Sequence, residues 1–117
     1  MSVLRQGHII WANVRDQAGA NPKDRPAVIV TKTDEISTST PFAAVAVTGT
    51  FSYPLASALV ELPSSPSGHA TTGLYKRCVA VCDWLLAIQV SDVISTGGVV
   101  PEHILRRILL LVARLSP

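Results

Sequence analysis

The chain has 117 residues, 48% of them hydrophobic and only 15% charged, which excludes extended disorder and supports a core that needs neither disulfides nor a metal. Ten basic and eight acidic residues give a net charge of +2, spread evenly over both halves, so there is no basic arm or acidic tail and any basic site must come from local clustering. The length points to one domain over residues 1–117, and the scarcity of charge points to surface hidden in an oligomer.

The N-terminus MSVLRQGH turns polar by Arg5 and has no apolar signal core. No later segment offers ~18 uninterrupted apolar residues, so the expectation is a cytoplasmic protein with no membrane association. HIIWANV (8–14) reads as a strand, with Ile9 and Trp11 on one face and Ile10, Ala12 and Val14 on the other. RDQAGANPKD (15–24) is a polar loop. PAVIV (26–30) is a β-branched strand, and Pro26 holds Arg25 extended. TDEISTSTP (33–41) is a loop. FAAVAVT (42–48) is apolar on both faces, as a central or barrel strand would be, and it stops at Gly49.

ALVEL (58–62) is a further strand. PSSPSGHATTG (63–73) is the most loop-like stretch, expected to be mobile beside a site. CVAVCDWLLAI (78–88) follows as one bent strand or two short ones, then DVIS (92–95), before Gly97 and Gly98 break the chain. PEHILRRILLLVARL (101–115) is a helix. At 100° per residue its apolar side chains, Ile104 to Leu115, fall within an arc of about 160° opposite His103, Arg106, Arg107 and Arg114. Leu110 lands among the arginines, where it would be a contact in an oligomer. Many short strands and one terminal helix imply a mainly β fold: a small, strongly bent sheet or barrel with the helix packed on it.

There is no phosphate-binding glycine loop, nucleophile elbow or metal-ligand cluster, so no metal or cofactor is implied. Cys78 and Cys82, four residues apart in a strand, are about 13 Å from each other, too far for a disulfide. They read as reduced, packed thiols. Three polar residues sit where chemistry could occur. Arg25 stands at a strand mouth, Thr48 ends an apolar strand, and Asp83 interrupts one. His8 and His103 belong to a strand start and a helix start, whereas His69 lies in the 63–73 loop.

Five segments in order, GHIIWANV (7–14), DRPAVIV (24–30), VAVTGT (45–50), TGLYKRCVAVCDWLLAI (72–88) and VPEHILRRILLLVARL (100–115), resemble the MazF/PemK family of toxin–antitoxin ribonucleases. The resemblance spans nearly the whole chain. It implies a small barrel of the SH3-like type with a C-terminal helix, and a homodimer. It further implies metal-independent cleavage of single-stranded RNA by attack of the 2′-hydroxyl on the adjacent phosphate, and a cognate antitoxin as partner. By motif, Arg25 matches the family's active-site arginine, Thr48 the hydroxyl ending the third strand, and Asp83 an acidic residue used by some members. Arg15, Lys23, Lys32, His69, Lys76 and Arg77 are the candidates for RNA contact. Some members carry a histidine before the Arg-Pro pair and an arginine before the acidic residue. Here the loop has none, and Val81 precedes Cys82–Asp83, so the general base is unassigned. The alternatives are a non-catalytic toxin resembling CcdB, which clamps a protein such as gyrase through the helix and Leu110, and a degenerate toxin with weak nuclease activity.

Overall fold

A computed structural model describes residues 4–16 and 18–115. The first three residues of the leader reading, Gln17 in the first loop and the last two residues lie outside them. Among these residues six strands and one α-helix follow in order, with single 3-10 turns at Thr33–Glu35 and Val90–Asp92: β1 (His8–Val14), β2 (Lys23–Ile29), β3 (Phe42–Thr48), β4 (Leu59–Leu62), β5 (Cys78–Ile88), β6 (Val93–Val99) and α1 (Glu102–Leu115). Each pair of neighbours is antiparallel, and the order across the sheet is β4-β5-β3-β2-β1-β6.

Two expectations need correction. The barrel does not close, because β4 and β6 are edges of one open sheet. Nor do Gly97 and Gly98 end a strand: β6 runs through both. The two corrections share a cause. The 63–73 segment crosses from β4 to the far edge, where Gly98 and Val99 donate their N–H groups to Thr72 and Thr71 carbonyls at 3.1 and 3.0 Å. A connector therefore bridges the edges where a strand ladder would have closed them. The same segment is tied, contrary to its reading as a mobile loop. Thr72 is buried, its hydroxyl donates to the Pro63 carbonyl at 2.7 Å, and it accepts the Leu74 N–H at 3.1 Å.

Strand alternation splits the apolar residues between two faces. Ile9, Val28, Val45, Val47, Val60 and Leu62 meet Ile104, Leu105, Ile108 and Val112 of α1. Ile10, Ala12, Ala27, Ile29, Phe42 and Ala44 form a second core on the other face, where Trp84, Leu86 and Val93 pack. β5 serves both. Its pairing with β3 jumps from Val81 (opposite Ala46) to Leu85 (opposite Val45), so Cys82, Asp83 and Trp84 bulge out of register. An odd insertion reverses the facing of every later side chain. Cys78, Ala80 and Cys82 accordingly line the first core, and Trp84, Leu86 and Ile88 the second.

Both cysteines are free and buried, and burial pushes each thiol up to about 11, leaving them protonated and unreactive at neutral pH.

Gly98 lies under the connector so closely that an added Cβ would stand 2.0 Å from the Thr71 carbonyl oxygen, whereas at Gly97 the nearest atom is 3.5 Å away. Backbone cannot yield as a side-chain tip can. We expect Gly98→Ala to lose about 2–3 kcal/mol in urea unfolding and Gly97→Ala less than about 1 kcal/mol. Equal losses would show that the bridge does not hold.

Candidate functional site

The ladder between β2 and β3 has three pairs, Ala27↔Ala46, Val28↔Val45 and Ile29↔Ala44. Just past β2, Val30 donates its N–H to Ala43 at 3.0 Å. Strand amides alternate in direction, so positions 30, 28 and 26 all aim at β3. Position 26 is proline, which has no N–H. The ladder ends there. Beyond it the strand ends part, and the register continued by two residues sets Arg25 opposite Thr48 on one face.

The opening is a cleft of about 640 Å³. Lys23, Arg25, Lys76 and Arg77 line it against one carboxylate, Asp24. Thr48 and Thr50 contribute hydroxyls, and Trp11 and Tyr75 contribute aromatic surface. A chain with a net charge of only +2 thus gathers four of its cations around one opening.

Arg25 is half-buried. Its Nε–H donates to the Val14 carbonyl at 3.4 Å, and its guanidinium lies 5.5 Å from the centroid of the Trp84 ring. Those two contacts fix a fork of further N–H donors. Thr48 Oγ1 accepts the Thr50 N–H at 3.1 Å, which orients the hydroxyl and leaves its proton free to donate.

On the far wall Arg77 is held in three ways. Its Nε–H donates to Glu61 at 3.2 Å, another guanidinium N–H donates to the Tyr53 hydroxyl, and its charge lies 5.3 Å from the Tyr53 ring centroid. Tyr53 in turn donates its phenolic proton to the other Glu61 oxygen. That bond raises the Tyr53 pKa above the usual phenol value and, together with Arg77, lowers Glu61 below the usual carboxylate value. The pair is exposed, so its contribution is orientation more than stability.

The cleft unites Arg25, Thr48, Lys23, Lys76 and Arg77 among the residues singled out from the sequence. The others lie elsewhere. Asp83 is exposed in the β5 bulge and does not line the cleft, although its neighbour Trp84 touches Arg25. Arg15 lines a separate depression and donates to the Gly19 carbonyl at 3.2 Å. Lys32 is exposed past the other end of β2, seven residues or about 23 Å of strand from Arg25. His69 serves its own turn, where Nδ1 accepts the Thr71 and Thr72 N–H groups at 3.1 and 3.3 Å. Trp84, Tyr53, Glu61 and Tyr75 were not anticipated. The run Tyr75-Lys76-Arg77, an aromatic beside two cations, was the available signal for the last of these. Among the described residues no cluster of His, Cys, Asp and Glu could hold a metal, and no helix is long and apolar enough to cross a membrane.

The family model of PemK-like, MazF-like toxins of type II toxin–antitoxin systems matches residues 5–115. Sequence comparison with curated proteins finds no match. Among solved structures, MazF from Deinococcus radiodurans superposes with a TM-score of 0.76 at 20% identity, over 98% of this chain and 97% of that one. A MazE–MazF structure from the same organism gives 0.74 at 21% identity, over 98% and 96%. An endoribonuclease from a mycobacterial species gives 0.68 at 15% identity, over 98% and 92%. At such identities the likeness is one of fold.

Two measurements test this geometry. In Pro26→Ala the new amide should bond to β3 and exchange its hydrogen far more slowly than an exposed amide; fast exchange would remove proline as the reason the strands part. In a Tyr75→Phe background the phenolate absorbance reports Tyr53 alone. Its midpoint should lie above the ordinary phenol value and fall back in Glu61→Gln, since a neutral amide no longer holds the proton. An unmoved midpoint would break the link to Glu61.

Proposed function

The chain belongs to the PemK-like, MazF-like toxins of type II toxin–antitoxin systems, and on that premise we propose that it is a metal-independent endoribonuclease acting on single-stranded RNA. The observation that carries this reading is that Arg25 and Thr48 both line one cation-lined cleft, at the point where the proline ends the pairing of their strands. In the proposed reaction a ribose 2′-hydroxyl attacks the neighbouring phosphorus. The 2′-oxygen–phosphorus bond forms and the bond to the 5′-oxygen breaks. The 2′-proton leaves, the departing 5′-oxygen takes one up, and the ends become a 2′,3′-cyclic phosphate and a 5′-hydroxyl. The RNA supplies its own nucleophile, so no water needs activating.

Arg25 acts where charge develops. The pentacoordinate phosphorane carries more negative charge than the diester, so a held guanidinium favours it over the ground state. Thr48 donates to a phosphoryl oxygen and aligns the ribose. Lys23, Lys76 and Arg77 take backbone phosphates on either side. Asp83 stands outside the cleft, and the groups that orient Arg25 are the Val14 carbonyl and the Trp84 ring.

The partner we infer is a cognate antitoxin that covers the same cleft. The MazE–MazF structures and the mycobacterial endoribonuclease solved with its cognate antitoxin support this by likeness of fold. We also infer a homodimer in the cytoplasm. Leu110 and Leu115, exposed on α1, are apolar surface left for a second copy.

Purified Arg25→Ala should keep its melting temperature within a few degrees and lose about 10²–10³ in cleavage rate. Wild-type fragments formed in EDTA should end in cyclic phosphate. Full cleavage by Arg25→Ala, or intact RNA at high wild-type concentration, would overturn the reading.

A further inference from the structure

Tyr75 has no role in the reaction above, yet it is 66% exposed at the edge of the cleft. It is also held. The hydroxyl end of its ring rests on Gly68, where an added Cβ would meet ring atoms at 3.2–3.5 Å. The backbone around it is closed by Ser65 and His69 N–H groups donating to the Leu74 carbonyl at 3.0 and 3.1 Å, and by Gly68 N–H donating to Ser65 at 2.8 Å. One side of the ring therefore has a floor, and the rest faces solvent.

Beside it lies a second hollow of about 550 Å³, walled by Glu61, Leu62, Pro63, Ser64 and Pro66. Tyr75 and Arg77 line both this hollow and the cleft, so the two openings share a rim. Their shared rim offers a fixed aromatic plane and, two residues on, a fixed guanidinium. A nucleotide presents the complement: a flat apolar base and a phosphate. Leu62, Pro63 and Pro66 give the hollow apolar wall, and its carboxylate, Glu61, is engaged by Arg77 and Tyr53, which suits a strand whose charge stays in the cleft while its base turns aside.

We propose that Tyr75 and the hollow beside it form a nucleobase subsite, in which one base of the RNA strand stacks on the ring while Arg77 meets the adjoining phosphate. The ligand class rests on the ribonuclease reading. The stacking itself is indifferent to base identity, because every base has a π-face.

The test is binding without cleavage. The probe is a labelled, mixed-sequence 2′-O-methyl oligonucleotide, which has no attacking hydroxyl, followed by fluorescence anisotropy over a range of salt. Tyr75→Ala should bind about tenfold more weakly with an unchanged salt slope, and Tyr75→Phe should bind within about twofold of wild type. Arg77→Ala should weaken binding and reduce the slope by about one ion. Wild-type affinity in Tyr75→Ala, or an affinity loss that Phe does not rescue, overturns the subsite. The outcome is separable from the nuclease assay. A wild type that cleaves RNA while Tyr75→Ala binds normally sinks the subsite alone. A wild type that binds through Tyr75 but leaves RNA intact sinks the nuclease reading alone.

Discussion

One missing hydrogen-bond donor organises this molecule. Pro26 sits where an N–H should reach across to β3, and without it the β2–β3 ladder ends at Ala27. The forgone bond costs about 1 kcal/mol. The cleft that replaces it opens between two interior strands of the sheet. The same proline holds Arg25 extended, so the residue that ends the pairing also aims the side chain before it. Had the ladder continued, Arg25 and Thr48 would be ordinary cross-strand neighbours with no room for a ligand between them.

The rest of the fold holds that opening at a fixed width. The 63–73 connector ties the two sheet edges together through Thr71, Thr72 and Gly98, and so sets the curl of the sheet. The β5 bulge turns Trp84 toward the second core, where its ring meets the Arg25 guanidinium. Cys82 helps to anchor the bulge, its N–H donating to the Ala58 carbonyl at 2.9 Å. Without the odd insertion Trp84 would lie on the helix side, and Arg25 would have only the Val14 carbonyl to hold it.

Much of this was readable in the sequence because it obeys local rules. Alternation identified β1, apolar runs bounded by turn residues identified β3, β4 and the long β5, and the 3.6-residue period identified α1 to within a residue. Arg25 beside Pro26, and Thr48 before Gly49, are local signals too. What escaped depends on pairing. β2 begins at Lys23, three residues before its apolar run, because β1 pairs with it as far as Val14↔Lys23. β6 passes through two glycines because the connector lies against Gly98. The phase change at the bulge is invisible to periodicity, so Asp83 drew notice while Trp84, next to it, makes the contact. His69, Lys32 and Arg15 are near the right motifs in sequence and away from the cleft in space.

The electrostatics follow the same logic. An exposed ion pair contributes little to stability, since water and mobile side chains dilute it. Here two of the four cleft cations are restrained, Arg25 by a carbonyl and an indole, Arg77 by a carboxylate and a phenol. Restraint removes much of the entropy lost when a long side chain is fixed on a phosphate. The Glu61 charge reduces the field of Arg77 yet fixes its direction, and a strand that must be held in register gains more from direction than from an extra free charge. Lys23 and Lys76 are exposed and can follow a flexible backbone. The cleft thus pairs two oriented forks with two adaptable point charges, a division suited to a ligand that is regular in its phosphates and variable in everything else.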